Sequence, residues 1–177
     1  GEINSIKKDL SRMAVTVCLC FPDIYEIGMS HLGLRILYDI INREGDCAAE
    51  RVFSPWVDAD DLLTSTGTPL FSLESQVPVK SFDILGFSIQ YELSFTNVLN
   101  ILSLSHIPLR SSERSARDPL VIAGGSSCLN PGPIADFIDC FVMGEAEELI
   151  LEFMAVYKKY KSGEHKNRLD LLKQLSA

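Results

Sequence analysis

Residues 14–21 read AVTVCLCF, an unbroken apolar run that Pro22 ends. A continuous run of this length and composition is typical of a strand that is buried on both faces of a parallel sheet. Phe82–Ile89 (FDILGFSI) has the same character. Shorter runs of the same kind follow at Ala48–Phe53, Leu120–Ala123 and Cys140–Met143. The sequence therefore predicts five strands.

Segments with apolar residues at helical spacing separate these strands. The predicted helices cover Leu34–Ile41, Val57–Thr66, Ser94–Ser105, Glu145–Tyr160 and a tail at His165–Leu175. This alternation predicts an α/β fold, a flavodoxin-like or Rossmann-like three-layer sandwich. Its five-stranded sheet is mostly parallel, in the order 2-1-3-4-5. Three local predictions complete the assignment: a loop over Asp23–Met29, a helix cap at Ser30 and extended chain over Leu70–Ser75.

The 177 residues suit one domain, with 46% hydrophobic and 23% charged residues. A net charge of −8 disfavours a nucleic-acid partner, since the only dense basic stretch is Lys158–Lys161 near the end of the chain. No apolar run reaches the roughly 18 residues of a membrane span, so we expect no membrane partner. Five cysteines without paired spacing are expected to be small buried side chains in a reducing, cytoplasmic setting.

In such a sheet, ligands bind outside the carboxyl ends of the strands. The loops concerned are Pro22–Ser30, Gln90–Ser94, Gly124–Pro131 and Gly144–Ala146. His31 lies beside this face, and its side chain is interpreted either as a ligand contact or as a locally bonded residue at a helix start. The acidic group Glu145–Glu148 is interpreted either as a metal site or as carboxylates that match the helix dipole.

Several familiar kinds of ligand site are excluded because their sequence motifs are absent. The first strand is not followed by G-x-G-x-x-G, and the chain has no G-x-x-x-x-G-K-[ST] phosphate loop. The third strand ends in Ser88-Ile89-Gln90 where a phosphoacceptor receiver domain needs an aspartate. No nucleophile with an adjacent base is evident.

The loops taken together carry a recognisable pattern. Gly124-Gly125, Asn130-Pro131, Asp136 or Asp139, and Val142–Glu147 (VMGEAE) follow one another as "GG…P…D.vv.GE.E". This pattern resembles the cobalamin-binding domains of radical SAM proteins. Further segments resemble an uncharacterised group in which such a domain precedes a radical SAM domain: residues 22–33 (PDIYEIGMSHLG), 54–56 (SPW), 69–75 (PLFSLES) and 86–93 (GFSIQYEL). The resemblance covers about residues 1–160.

The resemblance implies a corrinoid pocket at the strand ends. The cofactor-binding residues that it implies are Pro22, Tyr25, Gly28, His31, Ser88, Gln90, Gly124, Gly125, Ser126, Gly144 and Glu145. The D-x-H-x-x-G loop of mutases and methionine synthase is absent, so we expect no histidine ligand to cobalt and no metal ligand in this chain.

Radical SAM chemistry requires C-x-x-x-C-x-x-C, which holds an iron–sulfur cluster for S-adenosylmethionine, and this spacing is also absent. We therefore expect residues 1–160 to be a cobalamin-binding-like domain of a longer enzyme, and residues 161–177 to be a helical linker to its radical SAM domain. On this hypothesis the fragment itself is not catalytic and presents a corrinoid or a substrate to that domain, its partner. The alternative is a degenerate docking module that binds no cofactor, with Tyr25, Trp56, Tyr91 and Phe95 as its interface.

Overall fold

The computed structural model describes residues 5–163 and 167–175. Strands and helices alternate through it. The strands are β1 (Val15–Phe21), β2 (Cys47–Phe53), β3 (Ile84–Ser88), β4 (Leu120–Gly124) and β5 (Cys140–Val142). The helices are α1 (Tyr25–Ser30), α2 (Leu32–Arg43), α3 (Val57–Thr66), α4 (Phe95–Leu104), α5 (Ala146–Lys161) and α6 (Arg168–Leu175).

The strands form one parallel sheet in the order β2-β1-β3-β4-β5, which confirms the predicted topology. The chain reverses its direction of travel across the sheet between β1 and β3. That position is the topological switch point, beside which open α/β sheets bind their ligands. The carboxyl ends of all five strands lie at one edge, which we call the carboxyl edge.

Alternate side chains of β1 enter two separate cores. Val17 and Leu19 pack with α2, α5 and α6, whereas Cys18 and Cys20 pack with α4 on the other face. These two faces make the three layers of the predicted sandwich. Both thiols are fully buried and belong to the apolar core, as expected for small buried side chains. Burial raises the pKa of Cys18 and of Cys20 well above the ordinary value, so both stay protonated.

The loop predicted over Asp23–Met29 is wrong, because α1 occupies Tyr25–Ser30. Its amide at Gly28 donates to Ile24 O at 3.0 Å, and Gly28 is buried between Phe53 and Phe21. Close packing on β2 therefore outweighs the loop signal of the glycine. The cap predicted at Ser30 is also wrong, because the side chain of His31 caps α2 instead.

Residues 70–77 run beside the outer edge of β2, but only Phe71 makes a β-bridge, antiparallel to Pro78. The segment is held by Leu73 N, which donates to Arg51 O at 2.8 Å, and by two carboxylates. Glu74 accepts from the backbone and the guanidinium of Arg51, and Glu50 accepts from Ser72 Oγ at 2.5 Å. The backbone amide and carbonyl of Arg51 are thereby paired, whereas an edge strand otherwise leaves such groups open.

At the other end of the chain, α6 packs against α5 through the buried Leu171. Arg168 reaches Asp139 at 2.6 Å, and Asp139 also holds Arg114 at 3.0 Å. The assignment of residues 161–177 as a linker stays a prediction. Across the described residues, no helix combines the length and the apolar character needed to cross a membrane.

Candidate functional site

A cleft of about 250 Å³ opens at the carboxyl edge between the N-terminal ends of α2 and α5. Its floor consists of Leu19, Gly86 and Ile122, which come from three adjacent strands. Leu34 and Ile150 form its helical walls. The cleft thus lies beside the switch point, on the face of the sheet that α2 and α5 cover.

Gly86 creates depth in this cleft. It lies within β3, where a glycine weakens a strand unless something approaches the backbone closely. The nearest neighbours of a Cβ at this position would be Ile122 and Leu19, at 3.6 and 3.7 Å, which is ordinary van der Waals contact. No steric conflict in the fold requires a glycine there, so the missing side chain leaves room over the sheet for a ligand.

Three polar side chains form a connected group at the mouth of the cleft. Gln90 Nε2 donates to Ser88 Oγ at 3.0 Å, and Ser126 Oγ donates to Gln90 O at 2.8 Å. The loops after β3 and β4 are joined further by Ser127 N, which donates to Ile89 O at 3.2 Å. Hydroxyl and amide groups held in this way can bind the neutral amides and hydroxyls of a ligand.

The glycines of these loops are required by the backbone. Gly125 has φ +109°, and a Cβ there would lie 2.4 Å from Ile89 O. Gly144 has φ +123°, a conformation that L side chains rarely adopt. At Gly124, the last residue of β4, a Cβ would make a tight contact with Val142 O at 3.3 Å. Substitution of Gly125 or Gly144 would therefore disturb the loops themselves, whatever binds in the cleft.

His31 caps α2 and also lines the cleft. Its Nδ1 accepts a hydrogen bond from Leu34 N at 3.2 Å, and its ring packs on Phe21 with the centroids 4.7 Å apart. Because a backbone amide can only donate, Nδ1 carries no proton, and the neutral ring holds its proton on Nε2. Partial burial lowers the pKa of His31, which favours this neutral form.

Charge at the cleft is acidic. Glu145 and Glu147 belong to its lining, and none of the described lining residues is Lys or Arg. Glu147 and Glu148 lie in the first turn of α5, where the helix dipole favours carboxylates. The described residues contain no group of three or more His, Cys, Asp or Glu that could hold a metal ion. A ligand rich in phosphate therefore finds no cationic side chain here.

The structure brings together seven of the eleven predicted site residues in this lining. They are His31, Ser88, Gln90, Gly124, Gly125, Gly144 and Glu145. Ser126 lies beside it through its bond to Gln90. The other three lie elsewhere: Gly28 is buried under Phe53, Pro22 O accepts from Asn97 Nδ2 at 2.9 Å, and Tyr25 lines a different cavity.

Eleven of the 18 lining residues lie outside the predicted set, and two of the eleven are glycines. Gly86 is a glycine inside a strand, which is a recognised signal of close backbone approach. Gly33 leaves space for the ring of His31, because a Cβ there would be 3.0 Å from His31 Cε1.

The iron–sulfur cluster of radical SAM chemistry does not fit this chain. Cys18, Cys20, Cys47 and Cys128 are buried, and Cys140 is partly buried at the edge of the sheet. Cys18 and Cys20 share β1, whereas Cys47, Cys128 and Cys140 come from β2, the loop after β4 and β5. The five also lack the sequence spacing that a cluster needs.

The chain is similar to known proteins over most of its length. Residues 33–177 match the family described as "Radical SAM proteins, N-terminal". The uncharacterized protein MJ0966 of Methanocaldococcus jannaschii is 24% identical over 159 residues, which covers 84% of this chain and 30% of that protein. The chain therefore spans about a third of the length of this curated relative. Because the family match extends over most of the chain, this protein belongs to the family of N-terminal domains of radical SAM proteins.

Proposed function

We propose that this domain binds a corrinoid at the carboxyl edge and presents it to the radical SAM part of a longer polypeptide. The observation that carries the proposal is the cleft between α2 and α5, whose lining contains seven residues that the resemblance to cobalamin-binding domains implies. Family membership supports the radical SAM context. The iron–sulfur cluster and S-adenosylmethionine are then bound outside this chain.

The size and chemistry of the cleft suit one part of such a ligand. A volume of about 250 Å³ is below the roughly 300–1,000 Å³ of pockets that enclose a whole drug-sized ligand. We infer that the cleft takes the nucleotide tail, while the macrocycle lies over the carboxyl edge. Ser88, Gln90 and Ser126 would hydrogen-bond the amide groups around the corrin.

The chain's own residues have distinct tasks in this proposal. Gly86 would leave room for the tail, the N-terminal end of α2 would face its single phosphate, and the polar group at the mouth would orient the amides. His31 contributes an Nε2–H donor and no lone pair. Cobalamin, when bound, supplies a cobalt centre for methyl transfer or redox chemistry.

The test is a titration with hydroxocobalamin, followed by desalting and absorbance, on the chain and on the longer polypeptide. We expect close to one equivalent of corrinoid to be retained. Gly86→Leu fills the cleft from its floor, so we expect it to lower the affinity by about tenfold or more, whereas Gly86→Ala has a smaller effect. Gly45→Leu, at an exposed position with open space around it, is the matched control.

Failure to retain corrinoid in both forms, or equal affinity of Gly86→Leu and Gly45→Leu, would contradict the proposal. The second candidate, a docking module without a cofactor, would then take its place. It is favoured by Tyr25, Trp56 and Tyr91, whose aromatic side chains are exposed along the carboxyl edge.

A further inference from the structure

A second, larger cavity lies beside β2 and shares no lining residue with the cleft. It is an open groove of about 860 Å³, bounded by α3 on one side and by residues 68–76 on the other. The end of β2 and the start of α1 close it, where Tyr25 and Phe53 meet edge to face at 5.7 Å. We call it the α3 groove.

The α3 groove exposes large apolar side chains that a folded chain normally covers. Trp56 is 64% exposed, Leu62 62% and Phe71 41%, and all three belong to its lining. A contiguous exposed apolar surface of this kind marks an interaction site. Trp and Phe are also the residue types that are enriched at interface cores.

The walls of the groove are held firmly, so this exposure does not come from loose packing. Leu70 N donates to Leu104 O at 2.9 Å, and Leu73 N donates to Arg51 O at 2.8 Å. Leu70 and Glu74 are buried on either side of Phe71. The aromatic side chain is thus presented outward by a segment whose backbone is fixed on both sides.

The charges around the groove have one sign. Glu26 is part of the lining, and Asp58 is exposed in the first turn of α3, next to Ala59 of the lining. Asp60 accepts a hydrogen bond from Asn100 of α4 instead. No Lys, Arg or His occurs from Val52 through Val79. The dipole of α3 accounts for carboxylates in its first turn, but it gives no reason for the exposed Trp56 and Leu62 beside them. A partner segment with apolar residues at its centre and basic residues on either side would match both the exposed apolar side chains and the carboxylates.

We propose that the α3 groove docks an amphipathic segment of the same polypeptide, outside residues 1–177, whose apolar side chains are flanked by Lys or Arg. Two observations favour a segment of the same polypeptide over a separate protein. The chain belongs to a family of N-terminal domains, and it covers only 30% of its curated relative. Trp56 is the anchor, since its exposed ring offers apolar area and a face for a cation. The proposal depends on family membership and not on corrinoid binding.

The test places a photo-cross-linking amino acid at Leu62 in the longer polypeptide and identifies the attached peptide by mass spectrometry. We expect an intramolecular cross-link to an apolar segment that contains at least two Lys or Arg. Trp56→Ala should lower its yield by about tenfold or more, as loss of an interface anchor does. Asp58→Lys should lower it as well, and because both side chains are exposed, neither change removes a core contact.

The control places the same cross-linker at Leu169, which is exposed on α6 at the far end of the domain. Equal products from both positions, a cross-link only between separate copies, or attachment to a segment without basic residues would overturn the proposal. These results are independent of the hydroxocobalamin titration, because the groove and the cleft have no residue in common.

Discussion

The Nδ1 atom of His31 accepts a hydrogen bond from the backbone amide of Leu34 at 3.2 Å. This bond satisfies one of the amides that the first turn of α2 leaves without a helical partner. It also fixes the tautomer, since the neutral imidazole must then carry its proton on Nε2. The same hydrogen bond therefore stabilises α2 and determines that His31 can offer a ligand only a hydrogen-bond donor.

The first prediction concerns pH. The ordinary pKa of an imidazole is 6.5, and burial lowers the pKa of His31 in the folded chain. Between the folded and unfolded pKa values the unfolded chain binds more protons, so the free energy of unfolding falls as pH decreases below 6.5. Above 6.5 this contribution is fully present. Chemical denaturation across this range measures it.

His31→Asn is the matched control, because asparagine also caps helices but does not titrate. We expect the difference in free energy of unfolding between wild type and His31→Asn to change below pH 6.5 and to be constant above it. A difference that is constant over the whole range would show that His31 is not held in its neutral form.

A second prediction concerns the axial ligand of cobalt. With Nδ1 engaged by Leu34 and a proton on Nε2, His31 has no lone pair to offer a metal. Hydroxocobalamin bound to wild type and to His31→Asn should therefore show the same absorbance band positions. A shift of the bands on removal of the imidazole would mean that the ring gives up its cap and binds cobalt.

The strands were predictable because their apolar runs are continuous. All seven residues of β1 are buried and six of them are apolar, Thr16 being the exception, and the alternation with helices fixes the parallel order. The helix at Tyr25–Ser30 was not predictable, because its six residues are stabilised by packing of Gly28 on Phe53. That contact joins residues that are distant in sequence, so the pattern of residues within 25–30 does not predict it.

The candidate site was predictable in part for a related reason. Strand ends locate the loops, so Ser88, Gln90 and Gly124 could be placed near one another. Sequence position does not reveal on which side of a loop a residue lies, and Tyr25 therefore faces the α3 groove while His31 faces the cleft. The groove itself depends on residues 68–76 lying along β2, which only the fold shows.

The third prediction concerns the buried pair that holds this segment. Glu74 Oε1 lies 2.6 Å from Arg51 Nε, and both side chains are almost fully buried. Arg51 also stacks on Tyr38 at 4.3 Å, and burial raises the pKa of Glu74. Glu74→Gln leaves the guanidinium without its counter-charge, so we expect a loss of about 3–5 kcal/mol in the free energy of unfolding.

Two variants check this interpretation by urea denaturation. Arg51→Met combined with Glu74→Gln should recover part of the loss, because it removes the uncompensated charge. Asp39→Asn breaks the exposed pair with Arg43 and should cost no more than about 0.5 kcal/mol. A similar cost for Glu74→Gln and Asp39→Asn would mean that water reaches the Arg51–Glu74 pair.

The fourth prediction uses Trp56, which is the one tryptophan of the chain. Its ring is exposed on the α3 groove, with Asp58 two positions later and no cationic residue in Val52–Val79. Carboxylates concentrate cations and repel anions near the ring, an effect that salt screens within about 10 Å at 0.1 M ionic strength. Caesium should therefore quench the fluorescence of Trp56 more strongly than iodide does, relative to free tryptophan.

Asp58→Lys should reduce this preference, while Asp170→Lys on α6 should leave it unchanged. Equal quenching by both ions in the wild-type chain would remove the electrostatic argument for a basic segment in the groove, and the apolar contacts would then have to select the partner alone.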